Sequence, residues 1–550
     1  MRKEMIQVDN LTLYYEDEET PVFQNLHFTV KEGDTMLVLG PSGSGKSSLI
    51  QCLNGLFPRE LDGHIEGQVT IHGKDSRQYE AGEISKHVGV VFQDPETQFC
   101  MLTVEDEVAF GLENLRIPSD EMETKIEEVL NLVGLDKEKD STIATLSGGQ
   151  KQKLSLACVL AIEPKVIVLD EPTANLDPIA TKDFIDILTH LKEKLNLTLI
   201  VIEHQLNEWI PLLKRVYILQ RNGEPLYDGP LRNGIEKHGS SLQQQGIWMP
   251  LASQLTIENK IPYHQFPLTL RELVSETNAH RLTLCESTTT KDLGEKLLEA
   301  NELTWKSTGQ TIIHSTSLRI HQNEFIAIVG ANGSGKTSLS RLLAGITQQT
   351  SGSITVNEKK LSQWKERDLY QQIGYVFQNP EHQFITDSVY EEVAFGLRLT
   401  GASNKEIERK CEDILSICQL AHVKDKNPFT LSQGQKRRLS VASMIVSEQS
   451  LLFLDEPTFG QDAGSTEKLM SLLQQKYEMG TSIIMITHDM DLVDHFATRV
   501  LVMEDGSLAA DIHPAELWKR SDINNHHLEY PSRIKLAELI NEKESSYVPS

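Results

Sequence analysis

Short, unbroken apolar runs punctuate this chain. TMLVLG (35–40), KVIVLDEPT (165–173) and LTLIVIEH (197–204) have the length and β-branched content of buried strands, and FIAIVG (325–330), SLLFLDEPT (450–458) and TSIIMITH (481–488) share that character. Amphipathic stretches, SSLIQCLNGL and TSLSRLLAGI, follow two of these runs and predict helices. The pattern therefore predicts strand–loop–helix units of the α/β class, with chemistry at the ends of a parallel sheet. Pro-punctuated short-helix patterns, GIWMPLASQL and IPYHQFPLTLRELV, occupy the middle of the chain, and a shortened echo, YPSRIKLAELINE, lies at 530–542.

The runs recur in order. The phosphate-loop pattern G-x-x-x-x-G-K-[ST] is matched by Gly40-Pro41-Ser42-Gly43-Ser44-Gly45-Lys46-Ser47 and again by Gly330-Ala331-Asn332-Gly333-Ser334-Gly335-Lys336-Thr337. Each match sits between a predicted strand and a predicted helix, the context in which backbone N–H groups curl around phosphates, the lysine neutralises them and the hydroxyl ligates Mg²⁺. VFQDPETQF (91–99) recurs as VFQNPEHQF (376–384), LSGGQ (146–150) as LSQGQ (431–435), and LDEPT (169–173) as LDEPT (454–458), each 285 residues on; His204 recurs as His488. This constant spacing is a tandem duplication, each copy an α/β unit of about 230 residues.

Composition narrows the class. The chain has 550 residues, 39 % of them apolar and 24 % charged, enough for several cores. Its longest apolar runs are far below the ~18–20 residues of a membrane span, and the amino terminus lacks a secretory h-region, so a cytosolic chain that does not itself cross the bilayer is expected. The six cysteines (Cys52, Cys100, Cys158, Cys285, Cys411, Cys418) form no C-x-x-C pair, which argues against zinc, iron–sulfur and disulfide frameworks. A formal charge of −26 offers no general attraction for nucleic acid or anionic lipid.

The set of phosphate loop, glutamine-containing word, LSGGQ signature, Asp-Glu strand end and histidine resembles the ATPase domains of ABC transporters, over about 1–232 and 298–515. The resemblance implies two tandem P-loop domains, each with a RecA-like parallel-sheet core, an antiparallel β subdomain, a helical signature subdomain and a small C-terminal appendage. The implied boundaries are 1–232 for the first ATPase domain, 233–278 for its appendage, 279–297 for a linker, 298–515 for the second ATPase domain and 516–550 for a short appendage.

ATP and Mg²⁺ are the implied ligands. Asp170 and Asp455 read as Mg²⁺-side carboxylates with Ser47, Thr337, Gln93 and Gln378, while Glu171 and Glu456 read as general bases or water-orienting groups. His204 and His488 resemble the switch histidines that reach the γ-phosphate, and Gln93 and Gln378 the glutamines that sense Mg²⁺ and the attacking water. In that family the signature of one half closes over the nucleotide of the other, so Ser147, Gly149 and Gln150 would face the ATP on Lys336, and Ser432, Gly434 and Gln435 the ATP on Lys46. Asp177 and Asp462 resemble the D-loop aspartates. Gln433 replaces Gly148 in the second signature, and Tyr15, which resembles the adenine-stacking residue, aligns with Ser307, near Trp305. Two hydrolytically competent sites are expected.

The words D/N-P-E-x-Q-F, followed by TVEDEVAFGL and SVYEEVAFGL, resemble the energy-coupling factor branch of importers. That branch implies an integral T-type scaffold subunit, a small S-type substrate-binding subunit and a peripheral location on the cytoplasmic face of the membrane. It also implies a groove beside a short helix, with Glu105-Asp106-Glu107 and Glu391-Glu392 as candidate partners for arginines of the scaffold. The one-chain duplicated form resembles subunits for thiamine or its hydroxymethylpyrimidine precursor, with cobalt or other vitamins as alternatives. The rival class, a soluble tandem ATPase acting on ribosomes or DNA, needs a basic arm, whereas 233–300 carries six basic residues against eight acidic ones.

Overall fold

The computed structural model describes residues 2–16, 18–80, 82–276, 292–307, 309–458 and 460–546. They form two compact units, one built on residues 1–280 with 462–464 and the other on residues 281–461 and 465–550. The first unit runs β1 (Glu4–Tyr15), β2 (Phe23–Lys31), β3 (Thr35–Leu39), α1 (Lys46–Leu53), β4 (Gly63–Ile71), β5 (Lys74–Asp75), β6 (Val88–Val91), α2 (Val104–Asn114), α3 (Ser119–Val133), α4 (Gly148–Ala161), β7 (Val166–Asp170), α5 (Pro178–Leu195), β8 (Thr198–Ile202), β9 (Arg215–Leu219), β10 (Pro225–Pro230), α6 (Leu231–Gln244), α7 (Leu251–Glu258) and α8 (Leu270–Glu276).

Six strands form one sheet in the order β10-β9-β3-β8-β7-β6, parallel except for the β9–β10 edge pair. β3 and β8 are buried along their whole length, which is why their sequences are unbroken apolar runs rather than alternating ones. The parallel direction brings the ends of β3, β7 and β8 to one edge, so the phosphate loop, Asp170-Glu171 and His204 are neighbours although they are far apart in sequence. A second sheet, β2-β1-β4-β5, is antiparallel. Its apolar face shares a core with α1 and the parallel sheet. Between β6 and β7 lies a helical segment in which Val104, Val108 and Leu112 of α2 and Ile126, Val129, Leu130 and Val133 of α3 place one apolar face each against α4. The chain end of this unit is not a separate body: Ile235 and Leu242 of α6, with Phe266 and Leu268, join the core of the parallel sheet.

The second unit repeats the plan with β11 (Lys296–Ser307), β12 (Gln310–His321), β13 (Phe325–Val329), α9 (Lys336–Leu343), β14 (Ser351–Val356), β15 (Lys359–Lys360), α10 (Glu366–Tyr370), β16 (Ile373–Val376), α11 (Val389–Thr400), α12 (Asn404–Ile417), α13 (Gln433–Ile445), β17 (Leu451–Asp455), α14 (Ala463–Glu478), β18 (Ser482–Ile486), α15 (Met490–Phe496), β19 (Arg499–Glu504), β20 (Ser507–Ile512), α16 (Pro514–Leu517) and α17 (Ser532–Ser546). Its sheets are β16-β17-β18-β13-β19-β20 and β12-β11-β14-β15. The expected linker, 279–297, lies outside the described residues up to 291, as does Cys285, and its last two residues already open β11, where Leu297 is buried in the core. The five described cysteines are free thiols. Among the described residues no helix is long and apolar enough to cross a membrane.

Candidate functional site

Each phosphate loop ends in glycine at positive φ, 87° at Gly45 and 98° at Gly335, a conformation that L side chains rarely adopt. A Cβ on Gly45 would also sit 2.8 Å from the Phe23 ring. Helices α1 and α9 start immediately afterwards with no side-chain cap, so their first-turn N–H groups await a ligand. The Lys46 ammonium is buried and donates to the carbonyls of Gly40 (2.8 Å) and Pro41 (3.2 Å); Lys336 does the same to Gly330 and Ala331 (both 2.8 Å). Burial holds the Lys46 pKa below its ordinary value, against the pull of Glu171 and Asp170. The hydroxyls of Ser44 and Ser334 are buried without a hydrogen-bond partner. Uncapped N–H groups, a buried cation and unpartnered hydroxyls all have a proton to donate, the set that suits a polyphosphate.

Opposite the loops, β7 and β17 end in the two carboxylate pairs. Burial pushes Asp170 up to about 6, with Glu171 adding to the shift and Lys46 and Ser47 opposing it. Burial likewise raises Asp455, whose Oδ1 accepts from the Thr337 hydroxyl at 3.2 Å. Hydroxyl and carboxylate oxygens of this kind fit Mg²⁺. Glu171 and Glu456 follow at φ 47° and 51°, positive values for residues that carry side chains. Their N–H groups bond the carbonyls of Ile202 and Ile486, which fixes this left-handed corner from the neighbouring strand. The same left-handed carboxylate recurs in both units.

The predicted histidines meet these carboxylates. His204 Nε2 lies 2.9 Å from Glu171 Oε1, and His488 Nε2 lies 3.2 Å from Glu456 Oε1. Burial raises Glu171, but the hydrogen bond and charge of His204, helped by Lys46, outweigh it and hold the carboxyl low. In the second unit burial wins: Glu456 is pushed up to about 8 despite Lys336, and His488 down to about 3. Gln93 Nε2 donates to Glu171 Oε2 at 2.9 Å, whereas Gln378 is exposed.

The signature residues cap helices. Ser147 Oγ accepts from the Gln150 N–H while the Gln150 side chain accepts from the Ser147 N–H, and Ser432 and Gln435 repeat this box. Gln433 in place of Gly148 is accommodated, because a Cβ on Gly148 would meet its nearest neighbour, the Asn175 carbonyl, at an ordinary 3.6 Å. Gly149 is tighter, 3.2 Å from the Ala180 methyl, and a Cβ on Gly434 would meet the Arg438 guanidinium at an ordinary 3.8 Å. Asp177 caps α5 through the Ala180 N–H, and Asp462 immediately precedes α14. Tyr15 ends β1 with its hydroxyl 2.8 Å from Ser48 Oγ, beside the phosphate loop. In the second unit Trp305 packs against the core and Ser307 is the last residue of β11.

The structure gives internal partners to several acidic residues of the helices that follow the repeated words, and to the words themselves. The acidic residues do not all await a partner: Glu107 is buried and accepts the N–H groups of Cys100 (2.8 Å) and Met101 (2.7 Å), and Glu392 accepts those of Ile385 and Thr386 (both 3.0 Å) and the Thr386 hydroxyl. One helical turn inward from the helix start, these side chains fold back under the preceding loop. Glu391 pairs with Arg398, and Glu105 with Lys139 at 3.5 Å. The words themselves also have internal work. Glu96 pairs with Lys151 and Glu381 with Lys436, while Gln98 accepts from Ser155 and Gln383 donates to Ser443. They tie the loop after β6 or β16 to the signature helix, an account of the repetition that needs no external partner. Glu107→Ala and Glu392→Ala should each cost about 1–3 kcal/mol in denaturant unfolding, because buried N–H groups lose their acceptor; unchanged midpoints would remove that role.

Three residues around the second carboxylate pair went unread. Tyr375 OH lies 3.5 Å from Asp455 Oδ2 and 3.0 Å from Ser340 Oγ. Arg341 and the buried Arg437 add positive charge near Asp455. The first unit has Val90, Gln51 and Gln152 at these places, and Gln152 and Arg437 both donate to the carbonyl before the loop glutamine, of Phe92 and Phe377. Their signal was present as differences between the repeats, at positions outside the motifs.

Comparison with known proteins gives the family. The ABC transporter family matches residues 23–174 and 313–459. A Bacillus subtilis protein, "Putative HMP/thiamine import ATP-binding protein YkoD", is 43 % identical over 94 % of this chain and 93 % of its own length. A Methanosarcina mazei protein, "Putative ABC transporter ATP-binding protein", is 35 % identical over 94 % of this chain and 90 % of its own. Among solved structures, cbiO1 from Clostridium perfringens, part of the ABC transporter complex cbiONQ, is 33 % identical and covers 44 % of this chain and 100 % of its own, with a TM-score of 0.38. The chain belongs to the ABC transporter family and carries its ATP-binding domain twice. It is an ATPase whose activity is coupled to transport.

Proposed function

We propose that this chain is the ATP-hydrolysing subunit of an importer of the energy-coupling factor type, peripheral on the cytoplasmic membrane face, and that its cargo is thiamine or a hydroxymethylpyrimidine precursor. The observation that carries the ATPase part is the convergence, in each unit, of a buried loop lysine, an Asp-Glu pair and a histidine at one sheet edge. Lys46 and Lys336, with the loop N–H groups, hold the triphosphate. Mg²⁺, bound by Ser47, Gln93 and Asp170 or by Thr337, Gln378 and Asp455, would supply charge neutralisation on the phosphate oxygens. Glu171 and Glu456 orient the attacking water and accept its proton; His204 holds Glu171 from the side, and His488 Nε2 stands 3.2 Å from Glu456 Oε1. As the family resemblance implies, the signature serines and glycines of each repeat serve nucleotide binding, and Tyr15 stacks adenine.

The importer part rests on the resemblance of the nine-letter words, on the printed function of the Bacillus subtilis relative, and on apolar side chains left exposed beside those words. Leu102 is 79 % and Ile385 65 % exposed, both next to the loop that Glu107 or Glu392 braces. Such residues suit a membrane scaffold subunit. The test is affinity purification of a tagged chain from gently solubilised host membranes. Co-purification of a polytopic scaffold and a small integral subunit binding thiamine or hydroxymethylpyrimidine is expected. A bound cobalt ion or another vitamin would correct the cargo, and ribosomes or nucleic acid without membrane proteins would overturn the importer.

A further inference from the structure

Glu203 is a carboxylate inside the core edge of the first unit, 4 % exposed at the end of β8, and no step of the proposed chemistry uses it. Its three hydrogen bonds reach in two directions. Oε1 accepts the Thr173 N–H at 3.0 Å and also the Thr173 hydroxyl; Oε2 accepts the His204 N–H at 2.9 Å. Thr173 stands two residues beyond Glu171, on the turn that carries the left-handed glutamate, and His204 is the residue whose imidazole meets Glu171. The fully buried Trp209 donates through Nε1 to Thr173 Oγ1 at 3.3 Å, so that hydroxyl is oriented from its other side.

A buried carboxylate is costly to desolvate, and burial pushes Glu203 up to about 7, opposed by the Thr173 hydroxyl. Its bonds go to a turn and a backbone N–H that flank the reacting pair, where a neutral side chain would hold the fold at lower cost. The second unit supports this reading by contrast. Thr487 replaces Glu203, and among the described residues its hydroxyl accepts the nearby Asp489 N–H at 3.1 Å. Both units fold to the same sheet, so the fold does not require the carboxylate.

We propose that Glu203 is a positioning residue of the first nucleotide site, clamping the His204 backbone to the Thr173 turn so that His204 and Glu171 stay in register for hydrolysis, and that the second site works without this clamp. The proposal rests on the assignment of Glu171 and His204 above.

Glu203→Gln breaks one arm of the clamp, since only one terminal atom of an amide accepts. With the second site silenced by Glu456→Gln in every comparison, steady-state hydrolysis by the full chain should then show kcat lowered about tenfold, with KM for ATP within about twofold, because geometry rather than nucleotide contact is lost. In a His204→Ala background the same substitution should change the residual rate less than about twofold, as expected for groups acting through one another. A purely structural role would lower kcat in both backgrounds equally, or lower the thermal midpoint while raising KM, and either result overturns the proposal. Glu203→Thr, which installs the residue of the second unit, repeats the comparison should the glutamine variant fold poorly. Unchanged kcat, or a rise in KM alone, overturns the proposal. Glu171→Gln is the control: if it hydrolyses ATP normally the assignment beneath fails, and if it is inactive while Glu203→Gln is normal only the clamp fails.

Discussion

Glu171→Gln combined with Glu456→Gln lowers ATP turnover by roughly 10²–10⁴-fold, the usual contribution of a positioned general base, while ATP binding survives. The amide keeps the shape of the carboxylate and can still meet Gln93 and His204, which lie 2.9 Å from its two oxygens in the first unit. What it loses is the capacity to accept a proton. Each loop lysine donates to carbonyls of its own loop, and the substitution leaves those bonds in place, so phosphate binding has no reason to fall. Equilibrium binding of a nucleotide and release of phosphate, measured on the same preparation, check both halves of the expectation. Near-wild-type phosphate release would remove the two glutamates from the reaction.

The second large effect is on binding. Lys46→Ala and Lys336→Ala each weaken ATP affinity at the altered site by about 10- to 100-fold, the worth of a hydrogen bond to a charged group, and the rise in melting temperature on adding ATP shrinks accordingly. Stability without nucleotide should not fall. Each ammonium is buried against two carbonyls, and burial already depresses the Lys46 pKa, a sign that the empty loop holds the charge at a cost. A lysine variant that melts several degrees lower without ATP, yet keeps its ATP-dependent rise, would assign the side chain to folding instead.

The sequence exposed the nucleotide machinery because its parts are contiguous words on strand ends. β3, β7, β8 and their counterparts are short apolar runs, and a parallel sheet brings their ends to one edge whatever the lengths between them. The direction in which a side chain turns is harder to read. Glu105, Asp106 and Glu107 look alike as letters, but only Glu107 lies on the face of α2 that folds back onto the loop at Cys100 and Met101. Glu203 was hidden for the related reason that a charge at the end of LTLIVIE reads as the point where a strand leaves the core, while its carboxylate in fact turns inward to Thr173. Arg341, Tyr375 and Arg437 belong to separate elements, and only folding places them around Asp455.

One detail of α4 and α13 has a consequence for which residues their first positions accept. A helix start is served about equally well by Ser, Asp or Asn, since each offers an oxygen to an N–H two or three residues on. Ser147 and Ser432 spend only a lone pair on the Gln150 and Gln435 N–H groups, so the hydroxyl proton of each is still available to an incoming phosphate oxygen. Aspartate would cap the helix and repel the anion, and asparagine would offer its donor from a planar group of different reach. Of the residues that helix formation tolerates there, only serine and threonine close the helix with an oxygen that keeps a proton to donate, as the proposed contact with the nucleotide requires.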